Sequence, residues 1–181
     1  MNYSAIKFCD IANGEGVRTS LFVSGCRRGC KGCFNEEAWC FTAGKPFDEE
    51  ARRSILRSLE PFYVDGLSLL GGEPMEPENQ RGLVDFVEEV KREYPDKQIW
   101  MYSGDTFEDI MSGSKHIEVT DRLMACIDVL VDGAFDESLY DISLRFRGSS
   151  NQRLIDIPAS LKAGEVVLWR DDPQFESHEM V

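Results

Sequence analysis

Four short apolar runs, at residues 19–23, 66–70, 98–102 and 127–131, place the strongest constraint on how this chain can fold. They are rich in β-branched, leucine and aromatic residues, as buried strands are. Helical patterns separate them. Phe47, Ala51, Ile55 and Leu59 recur every four residues before Pro61, and Leu83, Phe86, Val87 and Val90 fall at i, i+3, i+4 and i+7 before Pro95. Shorter helices are expected near residues 106–111 and 120–126. Strands and helices in alternation build βαβ units, right-handed crossovers and a parallel sheet. Four or five such units cannot close an eight-stranded barrel. The spacing therefore predicts an α/β fold: an open, partial (βα) barrel with a mostly parallel sheet. Residues 5–11 form a short apolar segment before the first strand, and residues 154–157 and 166–169 are candidates for added strands. The 181 residues read as one domain over 1–170 and a polar tail over 171–181.

Thirty-three acidic residues against twenty basic give a formal charge of −13, which argues against nucleic acid or an anionic membrane as partner. No apolar run reaches the roughly eighteen residues of a membrane-spanning helix. Residues 1–7 lack the basic-then-apolar pattern of a secretory leader, so the cytoplasm is the expected compartment. Of six cysteines, three crowd into the eight residues 26–33. That distribution points to metal or redox chemistry rather than a disulfide framework.

The crowded stretch is Ser24-Gly25-Cys26-Arg27-Arg28-Gly29-Cys30-Lys31-Gly32-Cys33-Phe34-Asn35, leaving directly from the first of the four strands. Its glycines let backbone wrap closely around a compact object. Its arginines and lysine are expected to lower thiol pKa values and favour metal-binding thiolates. Three thiolates leave a site one ligand short, which suits a reactive metal. On the residues alone two readings stay open. One is a cubane iron–sulfur cluster on Cys26, Cys30 and Cys33; the other is a zinc site completed by Cys9, Cys40 or Cys126. Ligands of parallel α/β sheets bind beyond the carboxyl ends of the strands. The other loops leaving those ends are Gly71-Gly72-Glu73-Pro74, Ser103-Gly104-Asp105 and Asp132-Gly133. Gly71 and Gly72 allow close backbone approach, and Glu73 offers an acceptor for an ammonium group. Ser103 and Asp132 suit a diol or, equally, a cap or turn. Phe34 offers a flat apolar surface, or a place in the core.

The Cys-x-x-x-Cys-x-x-Cys loop resembles that of radical S-adenosylmethionine (SAM) enzymes, although Gly32 stands where many members carry an aromatic residue. The form Cys-x-Gly-Cys-Phe-Asn looks like the activating proteins of anaerobic ribonucleotide reductase. Gly71-Gly72-Glu73-Pro74 resembles the motif that binds the amino group of SAM's methionine moiety. Residues 13–19 are similar to the glycine-rich lead into the first strand of glycyl-radical activases, with Asn13 and Glu15 departing from the usual Asp-Gly-Pro-Gly. Residues 145–153 closely resemble the Arg-Gly-Ser-Ser-Asn-Gln-Arg segment of the reductase activators. The likeness spans residues 13–157, and its departures lie chiefly at 112–118 and in the tail.

This resemblance implies a radical SAM type of barrel, a 4Fe-4S cluster on Cys26, Cys30 and Cys33, and SAM held near Gly32, Cys33, Phe34, Gly71, Gly72, Glu73, Ser103 and Asp132. It implies reductive cleavage of SAM to methionine and a 5′-deoxyadenosyl radical. That radical abstracts hydrogen from a backbone glycine in the glycyl loop of the reductase large subunit. A low-potential electron donor such as flavodoxin or ferredoxin is required, and no acid–base catalytic residue. Arg147 and Arg153, in a polar turn-prone loop, are expected to grip the glycyl loop. The competing readings are another glycyl-radical activase, a carboxy-deazaguanine synthase or a zinc-binding interaction protein. The Asn151-Gln152-Arg153 region disfavours the first two.

Overall fold

The computed structural model describes residues 1–33 and 35–170, so the expectations for Phe34 and for the tail over 171–181 lie outside the described residues. Seven strands form one open sheet in the order β3-β1-β2-β4-β5-β6-β7. The four predicted apolar runs are β2 (Arg18–Val23), β4 (Gly66–Gly71), β5 (Gln98–Tyr102) and β6 (Val129–Asp132), and they pair in parallel as neighbours. The expected open and mostly parallel α/β sheet is what forms. Its antiparallel pairs lie at the two edges. The segment expected only as an apolar lead extends to a full strand, β1 (Asn2–Asp10), which pairs antiparallel with β2 and with the short β3 (Lys45–Pro46).

The far edge is β7 (Arg153–Asp156), also antiparallel. A parallel return needs a crossover of a dozen or more residues, usually a helix. Between β6 and β7 the chain forms only a single 3-10 turn at Glu137–Leu139, so it doubles back instead. The expected strand over 166–169 is reduced to an isolated bridge between Ile155 and Leu168.

Helix α1 (Glu49–Leu59) begins two residues later than its apolar pattern, because the Asp48 side chain accepts from the Ala51 backbone N–H and caps it. Helix α2 (Pro77–Glu93) begins six residues before the first of its apolar positions, with Pro77 in its first turn, where a missing N–H costs nothing. The short α3 (Phe107–Ser112) and α4 (Thr120–Met124) precede β6, and α5 (Ile157–Ala163) follows β7.

Period-two alternation then divides the strands. Leu21, Val23, Leu67, Leu69, Ile99, Met101 and Leu130 join the main core with Ile55, Leu59, Leu83, Phe86, Val87 and Val90 of α1 and α2. Trp100, Val129 and Val131 belong to a second cluster, against which Tyr102, Phe146, Leu154 and Trp169 pack. Arg18, fully buried, ties the amino ends of the sheet together. Its guanidinium donates to Ser68 Oγ at 2.7 Å and to the carbonyls of Leu67 and Gln98 at 2.9 and 2.8 Å. Burial without a carboxylate in contact lowers its pKa to about 10. With the amino ends braced, the carboxyl ends remain for ligand binding. Among the described residues no helix is long and apolar enough to cross a membrane.

Candidate functional site

Beyond the carboxyl ends of the parallel strands lies a cleft of about 510 Å³. Cys26, Cys30 and Cys33 line it from the loop after β2, Gly71, Gly72 and Glu73 from the turn after β4, and Ser103 and Gly104 from the loop after β5. Gly133, Phe135, Phe146 and Arg147 complete the wall. Cys9 and Cys40 are exposed, Cys126 is half-buried against the main core, and none of the three borders the cleft. Cys40 Sγ lies 3.2 Å from Thr42 Oγ1. The donor set facing the cleft is thus three thiols, which fits a cluster that takes three protein ligands. The four-thiol zinc reading lacks its fourth residue at this site.

The cysteine loop is held from outside. Gly25 N–H donates to the Ala38 carbonyl at 2.7 Å and Cys26 N–H to that of Trp39 at 3.1 Å. The Gly25 carbonyl accepts from Glu73 N–H at 2.9 Å. Gly72 fits closely here: a Cβ on it would lie 2.6 Å from the Gly25 oxygen. Gly71 has φ +109°, a conformation that only glycine adopts freely.

The family described as "4Fe-4S single cluster domain" matches residues 12–155. The anaerobic ribonucleoside-triphosphate reductase-activating protein of Pasteurella multocida is 43% identical over 154 residues, covering 84% of this chain and 95% of that protein. Proteins of the same name from Escherichia coli K12 and Enterobacteria phage T4 are each 38% identical over 154 residues. These alignments cover 84% and 85% of this chain, and 96% and 93% of the two relatives. The chain belongs to this activating-protein family.

Within the cleft, Glu73 is 2% exposed and acts as a brace between two loops. Its carboxylate accepts from Met75 N–H at 2.9 Å, Ser103 Oγ at 2.9 Å and Gly104 N–H at 2.8 Å. Burial nevertheless pushes its pKa up. Ser103 reaches the cleft, but its hydroxyl is engaged with Glu73 and with Asp105 N–H. Three other expected site residues do not line the cleft. Gly32 supplies a left-handed bend at φ +75°. Asp132, 1% exposed, accepts from Phe107 N–H at 2.7 Å and from Arg153 Nε at 3.0 Å. Arg153 is further paired with Glu108 at 2.7 Å. Arg147 does face the cleft, with one guanidinium N–H donating to the Gln152 carbonyl at 2.9 Å.

The thiols depart from the electrostatic expectation. Burial pushes the Cys26 and Cys30 thiols up; Arg28 pulls Cys30 down, but by less. The loop arginines are already paired with carboxylates, Arg27 with Glu76 and Glu78 and Arg28 with Asp105. Metal binding to these thiols must therefore release their protons. No motif singled out Tyr102, which borders the cleft with a buried hydroxyl lacking a partner among the described residues. Its place as the last residue of β5, alternating with Met101, was the available clue.

Proposed function

We propose that this protein activates an anaerobic ribonucleotide reductase by generating a glycyl radical on it, using a 4Fe-4S cluster and SAM. One observation carries the reading: Cys26, Cys30 and Cys33 meet Gly71, Gly72 and Glu73 in a single cleft at the carboxyl ends of four parallel strands. Membership of the activating-protein family, with relatives named for the reductase, supports it. The open sheet with its parallel centre supports assignment to the radical SAM type of partial barrel.

When bound, the cluster would supply one low-potential electron to split SAM into methionine and a 5′-deoxyadenosyl radical that takes the partner's glycine hydrogen. The chain's own residues hold and orient. Cys26, Cys30 and Cys33 ligate. Gly71 and Gly72 let backbone approach the methionine end closely. Glu73 fixes Ser103 and Gly104 in the wall, and a carboxylate has about four acceptor positions, so one remains for an ammonium after its three internal donors. Arg147 is positioned to meet the partner's glycyl loop at the cleft wall, while Arg153 supports that wall through Asp132 and Glu108. A flavodoxin- or ferredoxin-like donor would deliver the electron.

Anaerobic electron paramagnetic resonance with SAM, dithionite and a candidate reductase tests this. A doublet glycyl signal that requires all three components is expected. Its absence with a protein carrying iron, sulfide and bound SAM would overturn the activase reading.

A further inference from the structure

The cysteine loop carries adjacent arginines, and each is held by acidic groups from a different part of the fold. Glu76, at the start of α2 and 1% exposed, accepts from Arg27 backbone N–H at 3.1 Å and from its guanidinium at 2.6 Å. Glu78 takes the other arm of Arg27 at 2.6 Å. Asp105, after β5, pairs with Arg28. One cation joins these two halves: Lys115 Nζ lies 3.0 Å from Glu76 Oε1 and 3.0 Å from Asp105 Oδ2. The charges alternate without interruption, Glu78, Arg27, Glu76, Lys115, Asp105, Arg28. The chain bond between Arg27 and Arg28 closes the circuit. Lys115 comes from residues 112–118, where the chain departs from the resemblance, and residues 112–115 read by themselves only as a small polar turn.

We propose that Lys115 is a positioning residue for the cysteine loop. By bridging Glu76 and Asp105 it fixes the carboxylates that orient Arg27 and Arg28, and so sets how Cys26 and Cys30 face the cleft. Glu76 is the reason the lysine matters. Arg27 is 56% exposed and shared with Glu78, so without Lys115 a buried carboxylate keeps only one partly solvated cation. Leaving a buried charge short of partners is costly, and the loop must move to relieve it. The inference rests on the cysteine loop being the metal-binding loop.

The test compares wild type with Lys115→Met, Lys115→Arg and, as a control, Arg122→Ala. Arg122 pairs with Asp85 and Glu88 in solvent, and none of the three lines the cleft. Iron release from anaerobically purified protein to a chelator is followed, with the midpoint potential and the melting temperature of the metal-free chain. Lys115→Met is expected to release iron about tenfold faster, the lower end of what loss of an outer-shell partner costs. Loss of a nearby positive charge should also move the potential to more negative values. Lys115→Arg should restore both, Arg122→Ala should change neither, and the metal-free Lys115→Met chain should still melt in one cooperative transition, lowered only by what the under-paired Glu76 costs. Release at the wild-type rate overturns the proposal. So does loss of the cooperative transition in metal-free Lys115→Met, which makes the effect one of folding. A wild type that holds no iron and sulfide would overturn the reading of the site itself.

Discussion

The cysteine loop and the turn after β4 face the same cleft, yet they are built in opposite ways. The turn is buried and holds itself: Glu73, Glu76, Asn79 and Gln80 are each at most 2% exposed. Asn79 donates to the Glu73 carbonyl at 2.9 Å, Gln80 to that of Met75 at 2.8 Å, and Glu73 accepts from Met75 N–H at 2.9 Å. The cysteine loop is half-exposed, and within it Cys33 N–H donates to the Cys30 carbonyl at 3.3 Å. Its other anchors belong to residues elsewhere, at Ala38, Trp39, Glu73, Glu76 and Asp105. The difference shows where the order of the site comes from. A rigid turn orients a loop that takes its order from residues elsewhere in the fold; on the proposed reading, ligation would complete that order.

The largest expected effect comes from the loop. Cys26→Ala, Cys30→Ala and Cys33→Ala should each lose nearly all bound iron and sulfide, whereas Cys9→Ala, Cys40→Ala and Cys126→Ala should keep them. Metal analysis of the six variants decides this, and loss in Cys40→Ala equal to that in Cys30→Ala would refute a three-thiol site. A smaller effect separates the two regions directly. Gly72→Ala drives a Cβ to 2.6 Å from a backbone oxygen of the cysteine loop, so it should cost about 1–3 kcal/mol and disturb the loop as well as the turn. Gly29→Ala meets nothing within 4 Å and bears only its φ of +62°, a cost of about 1 kcal/mol. Urea melts of the metal-free variants measure the contrast. Equal costs would mean that the turn is no more rigid than the loop.

The smallest effect is electrostatic. Hydrogen bonds from Arg27 hold the Glu78 carboxyl at about 2 against an ordinary 4.5. A depressed carboxyl stabilises the fold above its unfolded pKa, and that contribution disappears as pH falls from 4.5 towards about 2. Glu78→Gln should therefore lower stability modestly at neutral pH and leave it unchanged near pH 2, which flattens this acid limb. An unchanged limb would detach Glu78 from the loop's anchoring.

Much of this molecule was legible in its sequence because local physics decides it. The apolar runs that became β2, β4, β5 and β6 are buried on both faces, and α1 and α2 carry strong 3.6-residue patterns. Strand-end placement followed from the alternation, and it brought Cys26, Cys30, Cys33, Gly71, Gly72, Glu73 and Ser103 together as expected. Direction at the sheet edges was not legible. Strand pairing direction depends on what the intervening chain covers, and the region before β7 has no helical pattern to read.

What the sequence determined by itself was the order of the central strands and helices, the parallel centre and the crowding of three thiols at one strand end, since each depends on residue type and near-neighbour spacing. Tertiary structure alone decided how charge is distributed around that donor set. Arg27 and Arg28 beside three cysteines looked like a source of positive potential for the thiols. The fold instead brings Glu76, Glu78 and Asp105 to them, from positions as far as 77 residues away in the chain. It likewise turned Asp132 away from the cleft to Arg153. A charge acts through its distance to other charges and through its exposure to water, and both are properties of the folded chain rather than of any segment of it.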